Sequence, residues 1–126
     1  ELKTDTGCTP RFNLESWAKQ GILLLNSSLT VEKGRPGSHM SYWVKFTDVI
    51  IRYLNENYSG LIFCLWGNFA KAKACIIDQH SHTILKSTHP SPLSANRGGW
   101  FGTKHFSRIN DILDVLNEPP IIWGDA

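Results

Sequence analysis

The chain has 126 residues and a mass of 14.2 kDa, 41% of the residues hydrophobic. That is one ordinary domain, able to hide roughly two-thirds of the surface its unfolded form exposes. With 19% charged and 11% aromatic residues and no low-complexity tract, the composition excludes a disordered chain. Thirteen Lys and Arg against eleven Asp and Glu leave a formal charge of +2. Any basic surface must therefore come from local clustering, and net charge alone does not indicate nucleic acid.

Cys8, Cys64 and Cys75 are odd in number and lack the spacing of a zinc site, a redox pair or a disulfide framework, which fits a reducing compartment. The longest apolar runs, residues 22–25 and 61–66, are far short of a membrane span, and no targeting pattern opens the chain. The expectation is a soluble chain with no membrane partner. It begins at Glu1 without an initiator Met, consistent with a processed, trimmed or partial polypeptide.

In chain order, Asn13 can cap a short helix through residues 17–20, which Gly21 stops. The apolar run 22–25 then reads as a buried strand, and residues 26–41, rich in Asn, Ser, Gly and Pro, as loop. Trp43, Phe46, Ile50, Tyr53 and Leu54 recur at helical spacing behind Ser41 as a cap, which predicts an amphipathic helix ending near residues 57–60. Residues 61–66 are apolar throughout, as in a parallel strand covered on both faces. A helix over 68–75, a strand over 83–87, an irregular segment over 89–102 and a last helix with Phe106, Ile109, Leu113 and Leu116 inward complete the reading. Strands alternating with helices, without a hairpin signal, predict an α/β fold with a parallel sheet and helices on both faces. Three strands are few for such a sheet. The expectation is the C-terminal part of one domain, completed by an N-terminal segment outside this sequence.

In open parallel sheets, sites form beyond the carboxyl ends of the strands, which directs attention to Asn26, Asn68 and His89. Each is also an ordinary turn, cap or loop residue, and their shared position at strand ends is what singles them out. The segment His89-Pro90-Ser91-Pro92-Leu93-Ser94 is the most informative. Two prolines stiffen the backbone and push an apolar side chain outward between two hydroxyls. It can be a loop packing Leu93 on the core. It can also be a DNA probe, with Ser91 and Ser94 on phosphates and Leu93 wedged into a base step. Arg97, Lys104, His105 and Arg108 follow, and Lys104 and Arg108 are spaced to share a helix face.

These residues carry a family resemblance. WAKQGILLLN (residues 17–26), LTV (29–31), Ser38-His39, FTD (46–48), LWG (65–67), HPSPLS (89–94), Phe101-Gly102 and HFS (105–107) stand in the order found in the uracil-DNA glycosylase family, which the chain resembles over nearly its whole length. The resemblance implies Asn26 as the uracil-reading amide, His89 as the catalytic histidine and Leu93 as the intercalating leucine. It further implies Ser91 and Ser94 at phosphates, Arg97 beside the minor groove and, in altered form, Asn68 at a phosphate. Lys104 is read as a DNA contact from its basic neighbourhood beside the two hydroxyls.

Three features depart from the family pattern. Asn68 stands where serine is common after Leu-Trp-Gly, and Arg97-Gly98-Gly99-Trp100-Phe101 is longer than the usual RGFFG. The Gly-Gln-Asp-Pro-Tyr-His segment, which carries the family's water-activating aspartate, is absent. Asp48, Asp78 and Asp125 are not assigned that role.

The implied partners are uracil-containing DNA, single- or double-stranded, and the N-terminal half of the same enzyme. No cofactor or metal is implied. The expectation is a base-excision repair glycosylase, inactive as this chain alone. The alternative is a catalytically silent DNA-binding or replication-scaffold module with the same fold. A zinc deaminase would need His-x-Glu and Pro-Cys-x-x-Cys, and neither occurs. Localisation would be nuclear for a eukaryotic or herpesviral source and cytoplasmic for a bacterial one.

Overall fold

A computed structural model describes residues 1–10, 14–26, 30 and 32–125. The helices are α1 (Leu2–Thr6), α2 (Glu15–Lys19), α3 (Met40–Asn57), α4 (Asn68–Lys71), α5 (Pro92–Ala95) and α6 (His105–Val115). The strands are β1 (Ile62–Trp66) and β2 (Thr83–Ser87), and α4 continues into a 3-10 turn, Ala72–Ile76. The described residues form two compact units, one from 1–24 and 87–126, the other from 25–86.

In the second unit, β1 and β2 lie side by side. Gly60 N–H donates to Ser81 O and Thr83 N–H to Leu61 O, so both partners advance together and the pair is parallel. The connection runs through α4 and the 3-10 turn, as a parallel crossover requires. α4 packs on β1, and α3 packs on the 3-10 turn. Thr47, on the inner side of α3, is 1% exposed, and its hydroxyl donates to Trp43 O and Val44 O, which satisfies a buried polar group. The far end of α3 is tied down by His82, which is 5% exposed. Its Nδ1 accepts from Leu61 N–H and its Nε2 faces Asn55 O, each at 3.1 Å, so the ring bridges the helix end to the start of β1.

The first unit is built on aromatic packing. Trp17, Phe106 and Trp123 meet edge-on or tilted, with centroids 4.9 to 6.1 Å apart, and Trp100 joins Phe106 at 6.4 Å. The polar tips are satisfied: Trp17 Nε1 donates to Trp123 O, and Trp123 Nε1 to Phe106 O. α1 packs on α6, and the Asp5 carboxylate accepts the Ser107 N–H at 2.8 Å and its hydroxyl at 2.5 Å, an acidic cap on the first turn of α6.

Several sequence expectations change. The expected third strand, 22–25, has no ladder partner among the described residues. Leu23 and Leu24 are 62% and 54% exposed. An apolar run becomes a strand only when another backbone takes up its N–H and C=O groups. For the same reason β1 is only partly covered: of its residues Leu65 alone is buried, because two strands leave one of its edges open among the described residues. α3 begins at Met40 rather than behind Ser41, with His39 at the N-cap. Leu116 lies past the end of α6 and is exposed. The expected cap Asn13 is outside the described residues.

Candidate functional site

The chain leaves β2 into the segment with the most chemistry. Ser87 is buried, and Thr88 ties the segment to a later loop, its N–H donating to Gly99 O at 3.3 Å and its hydroxyl to Gly98 O at 3.2 Å. Gly99 permits this approach. It has φ +89°, and a Cβ there would stand 2.7 Å from Thr88 Cγ2. Glycine at 99 is thus a packing and a backbone requirement together.

His89 follows, exposed, with Nδ1 accepting the backbone N–H of Ser91 at 3.0 Å. A ring nitrogen that accepts from an amide carries no proton, so neutral His89 holds its proton on Nε2, pointed away from the backbone contact. Ser91 is the N-cap of α5, Pro92 is its first residue, and the Ser91 hydroxyl makes no capping bond, which leaves it available for other acceptors and donors. Ala95 on this turn is 3% exposed and anchors it, while Leu93 is 80% exposed. The outward apolar side chain expected from the two prolines is present, and the alternative of Leu93 in the core is excluded.

The chain then turns through Arg97, Gly98 and Gly99 to Trp100, which is buried, and Phe101, which is 60% exposed. Gly102 N–H and Lys104 N–H both donate to the Glu1 carboxylate, at 2.8 and 2.9 Å. Lys104 does not lie on the helix face with Arg108. It is the N-cap of α6 in the left-handed region at φ 54°, and its carbonyl accepts Arg108 N–H. His89, Ser91, Leu93, Ser94, Arg97 and Lys104 all belong to the first unit.

Asn26 and Asn68 belong to the second. Asn26 is exposed at the end of the 22–25 run, and Asn68 is exposed at the first position of α4, behind Gly67 at φ 94° as N-cap. Beyond Asn26, Thr30 is pinned to α3: its hydroxyl accepts from Trp43 Nε1 at 2.6 Å and bonds His39 Nδ1 at 2.9 Å. The aspartates set aside in the sequence have structural work, Asp125 through a two-way backbone bridge with Thr9. Asp48 pairs with Lys73 at 2.6 Å. Asp78 accepts from His80 N–H and Ser81 hydroxyl, and these bonds, the amide first, hold its carboxyl below the usual range. Among the described residues no cluster of His, Cys, Asp or Glu is arranged to hold a metal ion.

The residues that hold these segments within each unit, Thr88, Gly99 and Glu1 in the first and Thr30 in the second, were not legible as such in the sequence. The glycine pair in the lengthened loop was the one available signal.

Residues 9–114 match the family model of the uracil DNA glycosylase superfamily. Among curated relatives, the uracil-DNA glycosylase of Flavobacterium johnsoniae is 50% identical over 98% of this chain and 57% of its own length. That of Psychromonas ingrahamii is 57% identical over 88% of this chain and 51% of its own. Among solved structures, mimivirus uracil-DNA glycosylase superposes with a TM-score of 0.82 at 34% identity, covering 88% of this chain and 46% of that one. A variant of the mimivirus enzyme was crystallised in complex with UGI. The chain spans about half the length of the relatives it matches.

Proposed function

Because this chain belongs to the uracil DNA glycosylase superfamily, we propose that it supplies the uracil-reading and DNA-probing part of a glycosylase that flips uracil from DNA and hydrolyses its N-glycosidic bond. Breaking N1–C1′ leaves cationic character on the sugar and an anion on the base, so the catalyst must stabilise that anion. The observation that carries this reading is the Ser91 N–H on His89 Nδ1, which leaves a neutral imidazole with its donor, Nε2–H, free to face uracil O2. The Asn26 amide offers a donor and an acceptor that match O4 and N3–H of uracil. Cytosine presents the reverse order and would leave buried groups unpaired.

Leu93, exposed on an anchored turn, fills the gap left by the flipped nucleotide. The hydroxyls of Ser91 and Ser94 and the Asn68 amide serve backbone phosphates, and Arg97 and Lys104 supply the sequence-independent attraction.

The water-activating carboxylate comes from an N-terminal family segment. The open apolar surfaces of this chain support such a partner: Tyr42, Phe46, Val49 and Tyr53 form an exposed stripe along α3, 49% to 77% exposed. The experiment is co-expression of this chain with the N-terminal segment of a relative, followed by single-turnover release of uracil. The pair cleaves and this chain alone is inert. His89→Ala in the pair lowers the rate at least ~100-fold with little loss of DNA affinity. A parental rate in His89→Ala removes the histidine from the chemistry, and an inactive pair that still binds DNA favours a scaffold.

A further inference from the structure

We propose that Phe101 is a second DNA-contacting apolar residue, a platform on which an unpaired base of the bound strand stacks, carried on the same scaffold as the Leu93 wedge. The proposal rests on the DNA-binding reading above and adds a contact to it.

Adjacent residues Trp100 and Phe101 are treated oppositely by the fold. Trp100 is 7% exposed and packs against Phe106, and Phe101 is 60% exposed. An exposed aromatic ring on a mobile loop would mean little, but this one sits on a backbone fixed on both sides. Before it, the carbonyls of Gly98 and Gly99 accept from Thr88, the residue that precedes His89. After it, Gly102 N–H and Lys104 N–H share the Glu1 carboxylate, and Thr103 N–H and hydroxyl return to Trp100 O. The conformational cost of presenting the ring is therefore met in folding, before any ligand arrives.

Charge selects the occupant. Arg97 lies four residues before Phe101, Lys104 three after and Arg108 one helical turn further, all three exposed, and the Glu1 and Asp5 carboxylates that reach this stretch are taken up by the amides of Gly102, Lys104 and Ser107. An exposed ring flanked in the sequence by three exposed cations, on a loop tied to the catalytic histidine's own segment, suits a nucleic acid strand: phosphates meet the cations and a base face meets the ring. The ring needs no base identity, because every base has a π-face. The contact thus serves strand holding, with sequence reading left to the uracil pocket. The extra residue of the Arg97 loop gives the turn its glycine pair, so that Trp100 can enter the core while Phe101 stays out.

The experiment measures binding of this chain, and of its complex with the N-terminal segment, to fluorescein-labelled single-stranded and duplex DNA carrying an abasic analogue. Phe101→Ala, Phe101→Trp and Leu93→Ala are compared with the parent, and thermal melts exclude unfolding. Phe101→Ala weakens binding about 5- to 100-fold on both DNAs with an unchanged salt slope, and Phe101→Trp keeps affinity within a fewfold. The indole emission of Phe101→Trp, read as the difference from parent, is quenched on DNA binding as the base stacks. Phe101→Ala within twofold of a parent that binds DNA overturns the platform and leaves the glycosylase reading standing. Loss of association with the N-terminal segment in Phe101→Ala, at unchanged DNA affinity, overturns it in favour of a protein contact. A parent that binds neither DNA overturns the DNA reading and the platform with it.

Discussion

Lys73 Nζ lies 2.6 Å from Asp48 Oδ1, joining the 3-10 turn to the middle of α3, with side chains only 14% and 29% exposed. Asp48 Oδ1 is buried and accepts no other hydrogen bond among the described residues, so the ammonium is its counter-charge. Removing one partner strands the other: Lys73→Met or Asp48→Asn is expected to cost about 1–3 kcal/mol, and the double variant Asp48→Leu/Lys73→Met to recover much of it. Urea midpoints of the four proteins check this. A double variant no more stable than the sum of the singles would mean that the two side chains do not act as a pair.

Cys64, in β1, offers a pH signature. Half-buried in the strand, its thiol is pushed by loss of solvent from 9.0 up to about 11, so the folded state holds a proton that the unfolded state gives up first. Below pH 9 both states are protonated and the group contributes nothing to the pH dependence. As pH rises from 9 to 11, the unfolded state ionises and stability falls, by about 2–3 kcal/mol in total. The measurement is the difference between parent and Cys64→Ala in stability against pH over that window. Parallel curves would show that Cys64 ionises as readily in the fold as outside it.

How much of this was legible beforehand depended on whether a residue's environment is local. The exposed Leu93 followed from two prolines and a short turn, and α3 from the spacing of Trp43, Phe46 and Ile50. Residues 22–25 failed as a strand because pairing is a property of two segments, and apolarity carries no information about whether the second is there. Lys104 was misplaced on a helix face because spacing alone does not show where a helix begins. Its backbone is fixed instead by a carboxylate 103 positions away, Glu1. Supports of that kind have no local signature.

Gly99 is expected to tolerate no side chain. Gly99→Ala meets the Thr88 methyl at 2.7 Å and places an L-residue at φ +89°, so a loss of about 1–3 kcal/mol is anticipated. Adding Thr88→Ser removes the methyl and should return part of it, leaving the backbone strain. Melting temperatures of the two variants separate the steric part from the conformational one. Because the Thr88 tie lies beside His89, Gly99→Ala in the complemented enzyme should also lower cleavage.

Leu93→Ala should weaken action on duplex DNA more than on single strands, since only the duplex leaves a stacked gap for the wedge to fill. The quantity to compare is the ratio of single-turnover rates on the two substrates. Equal losses on both would assign the 80% exposed side chain to a contact other than intercalation.

Lys104 allows stability and binding to be moved in opposite directions. It occupies the left-handed region at φ 54°, where an L-residue is disfavoured and glycine is not. Lys104→Gly keeps the backbone N–H that donates to the Glu1 carboxylate and the carbonyl that accepts from Arg108, so the start of α6 survives. Relief of the strained conformation, less the extra freedom glycine gains when unfolded, should raise stability by up to about 1 kcal/mol. The same change removes an exposed cation, so DNA affinity should fall alike for every sequence, with the slope of log affinity against log salt reduced by about one. Lys104→Ala separates the two effects, because it loses the charge and keeps the strain. A thermal melt and a salt titration on the three proteins decide the matter. A Lys104→Gly protein that is more stable with an unchanged salt slope would show that the ammonium stays in solvent throughout.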